Sequence, residues 1–150
     1  MQEENSKPFP CFVADTSFMA AYLLNGLCDD EFSDCIKDVE YILENNGQFY
    51  VPQLFWYEIY NVLLYKVRKN KGGAPLLTKS DAMDIMYDLQ MLPIYTEPQA
   101  DSEIRSRIFD LAVEYNLSYY DASYLELSRR YNLELKTYDE DLKKALKNYD

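Results

Sequence analysis

The chain has no histidine among its 150 residues. This absence excludes histidine acid–base catalysis, the Ser/His and Cys/His nucleophile pairs, and histidine ligation of a metal ion. Any catalysis must therefore use carboxylates, hydroxyls, lysines or a bound ion.

Cysteine, glycine and proline are also scarce, and long apolar segments are absent. Three cysteines form no C-x-x-C motif, and four glycines and six prolines leave little room for linkers. No apolar run is long enough to predict a transmembrane helix. The first ten residues lack the apolar core of a signal peptide. We therefore expect a cytoplasmic protein with reduced thiols.

Positive charge is the third deficit, with 15 Lys and Arg against 26 Asp and Glu, a net charge of −11. Non-specific affinity for nucleic acids comes mainly from Lys and Arg contacts with phosphate, so this balance argues against a general polyanion binder. A nucleic-acid enzyme that recruits cations to its site is not excluded. The negative charge also favours a basic protein partner.

The apolar fraction of 48% predicts a packed core. We expect a flexible tail over residues 1–9 and one domain over residues 10–150. Short apolar strands alternate four times with helical segments, which predicts an α/β fold with a parallel sheet and helices on its faces. The predicted strands cover residues 10–14, 49–51, 91–95 and 133–135.

Three aspartates fall where this fold brings strand ends together. Asp15 directly follows the first strand, Asp139 follows the last, and Asp121 opens a helix after Ser118. Ligand sites of parallel sheets form at the carboxyl ends of the strands, so we expect these side chains to share one edge.

Glu58 interrupts an otherwise apolar helix over residues 53–69, and Asn61 lies three residues further on the same face. A carboxylate in such surroundings is costly unless it is paired, protonated or bound to a cation. One alternative is that its long side chain reaches solvent or an arginine. Otherwise Glu58, about one helical turn past the second strand, would join the three aspartates.

Each aspartate also has a purely structural interpretation. Asp15 would be a helix N-cap, and Asp121 would complete a capping box with Ser118. Asp139 would only lead into the last helix, because Thr137-x-x-Glu140 has the pattern of a capping box.

Considered together, the four carboxylates predict a hard-oxygen site that prefers Mg²⁺ or Mn²⁺ and is suited to phosphodiester hydrolysis. An aspartyl-phosphate phosphatase is disfavoured, because such enzymes usually have a second aspartate where this chain has Ser17.

Four segments, in order, resemble the PIN-domain ribonucleases and are most similar to the VapC-type toxins of bacterial toxin–antitoxin pairs. The similarity extends over roughly residues 11–146. The segments are V-A-D-T-S-F at 13–18, P-Q-L-F-W-Y-E-I-Y-N-V-L at 52–63, L-S-Y-Y-D-A-S-Y-L-E-L at 117–127 and L-K-T-Y-D-E-D-L at 135–142.

This resemblance implies a three-layer α/β/α sandwich with a short central parallel sheet. It also implies an endoribonuclease that depends on Mg²⁺ or Mn²⁺, in which a metal-activated water attacks an RNA phosphodiester. By motif matching, the catalytic and metal-binding acids are Asp15, Glu58, Asp121 and Asp139. The polar side chains implied to orient these acids are Ser17, Asn61 and Thr137. Asp141 lies two residues past Asp139 and would replace or assist it.

The resemblance also implies partners. Family members commonly form homodimers and are inhibited by an antitoxin whose C-terminal segment fills the active-site groove, and an acidic chain suits a basic antitoxin. RNA would have to be held by the few basic residues, namely those within 66–71 and Arg105, Arg107, Arg129 and Arg130. Two alternatives remain open at this point: a PIN-type RNA-processing nuclease, and a non-catalytic binding module that retains the fold.

Overall fold

A computed structural model describes residues 9–25, 33–68 and 73–148. Four strands and seven helices lie within these ranges. In chain order they are β1 (Cys11–Ala14), α1 (Thr16–Leu23), α2 (Ser33–Glu44), β2 (Gln48–Val51), α3 (Leu54–Val67), α4 (Lys79–Met91), β3 (Ile94–Thr96), α5 (Ser102–Tyr115), α6 (Tyr119–Tyr131), β4 (Glu134–Lys136) and α7 (Glu140–Lys147).

The strands form one parallel sheet in the order β3-β2-β1-β4. Val13 of β1 lies beside Tyr50 of β2 and Leu135 of β4. Because parallel crossovers are right-handed, α1 to α4 cover one face of the sheet, and α5 and α6 cover the other. Accordingly, α1 contacts α2, α3 and α4, whereas α5 packs on α6. The predicted α/β sandwich with a central parallel sheet is confirmed.

Helix α6 is the most deeply enclosed helix of the described chain. It is buried at every position from residue 122 to residue 128, because it lies between α5 and strands β1, β2 and β4. An ordinary amphipathic helix buries only one face, so burial of two consecutive turns on all sides is unusual. The start of α6, where Asp121 lies, is therefore fixed firmly relative to the sheet.

Several boundaries differ from those predicted. The strand predicted over residues 91–95 is wrong at its start, because α4 continues to Met91 and β3 begins only at Ile94. Pro93 lies between the two elements and, lacking an amide hydrogen, cannot extend the helix. Of the predicted tail, residues 1–8 are outside the described ranges, and Phe9 is exposed. No described helix has the length and apolar character needed to cross a membrane.

Gly47 allows β1 and β2 to approach each other where their pairing begins. The carbonyl oxygen of Pro10 accepts a hydrogen bond of 3.1 Å from the amide of Gln48. A Cβ atom at position 47 would clash with this same carbonyl oxygen and would lie 2.9 Å from Cδ1 of Ile42. Only glycine therefore fits here without a shift of the backbone.

We predict that Gly47→Ala lowers the free energy of unfolding by about 2 kcal/mol, because the clash is with backbone rather than with a flexible side chain. Chemical denaturation measures this change. The matched control is Gly73→Ala, since a Cβ atom at position 73 meets nothing within 4 Å. The control should change stability by no more than about 0.5 kcal/mol. Equal effects of the two substitutions would contradict the close approach.

Candidate active site at the carboxyl edge of the sheet

The candidate site lies where the strand order reverses. From β1 the chain proceeds to β2 and β3 on one side, whereas β4 pairs with the other side of β1. In open α/β sheets, ligands bind outside the carboxyl ends of the strands at such a point. Asp15 directly follows β1, and the segment that carries Thr137 and Asp139 follows β4.

Asp15 is only 4% exposed and is the N-cap of α1. Its Oδ1 atom accepts hydrogen bonds of 2.9 Å from the Phe18 amide and 2.7 Å from the Ser17 hydroxyl. Its Oδ2 atom accepts a hydrogen bond from the Thr137 hydroxyl. Burial raises the pKa of Asp15, these hydrogen bonds lower it, and the charge of Asp139 raises it further. The capping and site interpretations of Asp15 are therefore compatible.

The start of α1 is tied to the segment after β4. The Asp15 amide donates to the Lys136 carbonyl oxygen at 3.2 Å. The Ser17 hydroxyl accepts from the Tyr138 amide at 2.9 Å and lies 3.4 Å from the Thr137 hydroxyl. Ser17 and Thr137, predicted to orient the acids, thus both contact Asp15.

The capping box predicted at Thr137-x-x-Glu140 is wrong. The N-cap of α7 is Asp139, whose Oδ1 atom accepts from the Leu142 amide at 2.9 Å. The Thr137 hydroxyl instead donates to Asp15 and accepts from the Asp139 amide at 2.9 Å. Thr137 thus lies two residues before the N-cap of α7, bridging Asp15 and the Asp139 amide, while the side chain of Asp139 caps the helix.

Asp121 lies within the electrostatic field of the other three acids. Ser118 caps α6, and its hydroxyl accepts from the Asp121 amide at 3.0 Å. The pKa of Asp121 is raised to about 6, first by burial and then by the charge of Asp139, with further contributions from Asp15 and Glu58, while hydrogen bonding to Ser118 lowers it. The structure therefore brings together all four acids that the sequence singles out.

Glu58 of α3 is held by two hydroxyl groups that the sequence analysis did not identify. Its Oε1 atom accepts from the Tyr124 hydroxyl at 2.7 Å and from the Thr16 hydroxyl at 3.1 Å. Burial raises the pKa of Tyr124, so this hydroxyl stays protonated and can donate. The sequence positions of these two residues could have identified them as neighbours of the acids. Thr16 adjoins Asp15, and Tyr124 lies three residues after Asp121 on the same helix face.

The sequence profile of the PIN domain matches residues 12–147. The chain belongs to the PIN-domain family. Among solved structures, VapC20 of Mycobacterium tuberculosis, described as a sarcin-ricin loop cleaving toxin, superposes with a TM-score of 0.62 and 16% identity over 90% of this chain and 94% of that one. PAE2754 from Pyrobaculum aerophilum superposes with a TM-score of 0.59 and 20% identity over 92% and 86%. A comparison with curated protein sequences gives no match.

The predicted membership of the PIN-domain family is thus confirmed, and the VapC toxin VapC20 shares its fold. Membership of the PIN-domain family supports a nuclease activity for this chain.

Asn61 is exposed on α3 and lines a shallow groove with Trp56, Tyr57, Tyr60 and Leu64. Within the described part of the chain, no hydrogen bond joins it to any of the four acids. The predicted role of Asn61 in orienting them therefore stays a prediction.

Asp139 and Asp141, the two candidates for the fourth acid, differ in burial and in their effect on the other acids. Asp139 is half-buried, and its charge raises the pKa of both Asp15 and Asp121. Asp141 is exposed in the first turn of α7. This arrangement favours Asp139 as the fourth acid of the PIN-domain site.

The arginines expected to line an RNA groove are engaged elsewhere. Arg130 pairs with Glu97 at 2.8 Å and with Glu126 at 2.9 Å, and both glutamates are buried. Arg107 pairs with Glu103 at 2.9 Å and with Glu126 at 3.6 Å. Two further arginines donate hydrogen bonds within the same region, Arg105 to the Ala100 carbonyl and Arg129 to the Tyr115 hydroxyl. Their geometry gives no support to phosphate binding.

The donor atoms at this edge fit a hydrated divalent cation. No three acidic or thiol side chains among the described residues already converge into a metal cage. The donors present are carboxylate and hydroxyl oxygens, the ligands of Mg²⁺ and Mn²⁺. Mg²⁺ usually keeps several waters and binds one or two protein carboxylates together with substrate phosphates, so a preformed cage is not required. A cation would also relieve the repulsion that raises the pKa of Asp121.

We predict that Asp121→Asn stabilises the metal-free protein near pH 7 but has little effect below about pH 4. The pKa of Asp121 is about 6 in the folded protein, against 3.8 for an unperturbed aspartate. The folded state therefore holds this proton more tightly than the unfolded state, and wild-type stability falls as the pH rises between these two values. The variant has no such proton to lose.

Thermal unfolding in chelator from pH 4 to pH 7 measures the effect. The Tm advantage of Asp121→Asn should increase to a few degrees across this range. Asp141→Asn is the control, because it removes an exposed aspartate and should show no comparable gain. A Tm difference for Asp121→Asn that is constant with pH would contradict the prediction.

Proposed function

We propose that this PIN domain is a metal-dependent endoribonuclease that hydrolyses RNA phosphodiester bonds. The observation that carries the proposal is the grouping of Asp15, Glu58, Asp121 and Asp139 at the point where the strand order reverses. Asp15 and Asp139 cap helices, but capping does not explain why four carboxylates share one field, because their charges repel each other. Their grouping is explained if the site binds a cation and, through it, a phosphate.

The chain's own residues would have distinct roles. Asp15, Asp121, Asp139 and Glu58 would hold Mg²⁺ or Mn²⁺, which when bound lowers the pKa of a water and offsets negative charge on the phosphate. Asp15 is suited to this role, because hydroxyl and amide donors hold both of its oxygens in a fixed orientation. Asp139 is oriented in the same way by the Leu142 amide. No covalent nucleophile from the protein is needed.

We further propose that the enzyme is the toxin of a toxin–antitoxin pair. The fold likeness to VapC20, itself described as a toxin, supports this role. The net charge of −11 suits a basic antitoxin, and by family analogy we propose a homodimer in the cytoplasm. A neighbouring reading frame for a small basic protein would support the toxin, whereas its absence would favour an RNA-processing nuclease.

We predict that Asp15→Asn, Asp121→Asn and Asp139→Asn each lower the cleavage of single-stranded RNA by at least about 100-fold, because each removes a charge that holds the cation. Asparagine also serves as an N-cap, so the substitutions at 15 and 139 preserve the starts of their helices. The measurement is the cleavage rate of a labelled RNA with Mg²⁺ or Mn²⁺ and with chelator.

Asp141→Asn is the matched control, with the same change of charge two residues after Asp139. It should retain most of the activity. If Asp141→Asn abolishes cleavage and Asp139→Asn does not, the fourth acid is Asp141. Equal cleavage by wild type and by Asp15→Asn would indicate a contaminating nuclease and reject the proposed function. Binding of RNA without cleavage would indicate the non-catalytic module.

A further inference from the structure

Three side chains form a closed triangle beside the four acids. The Tyr124 hydroxyl lies 2.7 Å from Oε1 of Glu58 and 3.0 Å from the Thr16 hydroxyl, and the Thr16 hydroxyl lies 3.1 Å from the same Oε1 atom. The members come from parts of the chain separated by 42, 66 and 108 positions. The triangle is therefore a product of tertiary structure.

The triangle links three elements, each of which carries one of the acids. Thr16 immediately follows Asp15 at the start of α1, and Tyr124 lies one turn after Asp121 on α6. Glu58 itself belongs to α3. The triangle thus connects the carboxylate of α3 to the two helices at whose starts Asp15 and Asp121 lie.

Two members of the triangle cannot easily move. Tyr124 is 1% exposed, and its ring is packed within the core, so its hydroxyl has a fixed position. Threonine is branched at Cβ, which restricts its rotamers. Glutamate, by contrast, has a flexible side chain that loses considerable rotamer freedom when it is ordered. The two hydroxyls are therefore the rigid partners, and the carboxylate is the group they hold.

The carboxylate of Glu58 is held through one oxygen only. Both hydroxyls meet Oε1, and Oε2 accepts no hydrogen bond from any residue that the structure describes. A carboxylate fixed at one oxygen presents the other in a constant orientation. This arrangement leaves the Oε2 atom of Glu58 oriented to bind a cation or a water molecule.

We propose that Thr16 and Tyr124 are positioning residues that hold Glu58 through Oε1 and leave Oε2 for the ion or water of the site. The inference about Glu58 stands on the geometry above, while its consequence for cleavage rests on the proposed function. Neither hydroxyl touches the reacting atoms. Both act through Glu58, as the groups that orient metal ligands do in other sites.

The test uses Tyr124→Phe, which removes one oxygen atom and keeps the buried ring. Thr16→Val removes the other hydroxyl at nearly constant shape, and Thr16→Ser restores it. Each is made in the wild-type chain and in a Glu58→Ala chain. Three quantities are measured: the unfolding equilibrium constant in chelator, the affinity for Mn²⁺ by calorimetry, and the rate of RNA cleavage.

We expect Tyr124→Phe and Thr16→Val each to weaken Mn²⁺ binding about 10- to 100-fold, and Thr16→Ser to remain within about threefold of wild type. In the Glu58→Ala chain the same substitutions should change Mn²⁺ affinity by less than about twofold, because the group they hold is gone. Without metal, the unfolding constants should show a coupling between Tyr124 and Glu58 of about fivefold.

Ser128→Ala is the matched control. Ser128 is a buried residue of α6, one turn after Tyr124, and its hydroxyl donates to the Leu133 carbonyl oxygen rather than to an acid. Its loss should lower stability but leave Mn²⁺ affinity and cleavage unchanged. This control separates a general loosening of α6 from a loss of Glu58 orientation.

The outcomes separate the two proposals. If Tyr124→Phe lowers stability to the same degree with and without Glu58, the two side chains are not coupled and the inference is overturned, whatever the RNA assay gives. If wild type neither binds Mn²⁺ nor cleaves RNA, the proposed function fails, and the metal-free coupling still decides whether Thr16 and Tyr124 hold Glu58. Coupling together with the expected loss of Mn²⁺ affinity supports both.

Discussion

The buried carboxylate of Asp15 is the group on which the geometry of the sheet edge depends. A carboxylate that is 4% exposed is tolerated only if its oxygens are satisfied, and here donors from the start of α1 and from the segment after β4 provide this. The same bonds hold the end of β1 to the end of β4. Loss of this carboxylate would therefore loosen the contact between two elements as well as remove a charge.

The candidate site places negatively charged side chains near one another, an arrangement that disfavours folding. Asp121 and Asp139 repel each other when both are ionised, and this repulsion contributes to the raised pKa of Asp121. A cation bound as proposed would attract both carboxylates, so relief of their repulsion would contribute to its affinity. A site of this kind is expected to be less stable empty than filled.

The ion pairs of the arginines affect how so acidic a protein would bind RNA in the proposed function. Arg107 and Arg130 pair with the buried glutamates of α6 and of the segment after β3, and thereby support packing rather than an electropositive groove. Because these two arginines are paired with glutamates, the bound ion of the proposed site would supply the positive charge that meets a phosphate at the acidic edge. Salt dependence of RNA binding would then be weak in comparison with that of basic nucleases.

The sequence by itself determined the class of fold and the positions of the acids. The alternation of short apolar strands with helices is enough to predict a parallel sheet, and residues that directly follow strands, such as Asp15 and Asp139, must lie at its carboxyl edge whatever the details of packing. The absence of histidine and the number of carboxylates likewise restrict the chemistry without any coordinates. These features are local, so a linear pattern records them.

Only the tertiary structure decided which polar groups touch these acids. Thr137 has the pattern of a helix cap but bonds to Asp15, and Glu58 accepts from the hydroxyls of Thr16 and Tyr124. Arg130 pairs with the buried Glu97. Each of these contacts joins residues far apart in the chain, and each replaces a local hydrogen bond or solvation of similar energy. Local preference therefore cannot predict them. The choice is made by which side chains packing brings within about 3 Å of one another, since there a buried polar group must find its partner.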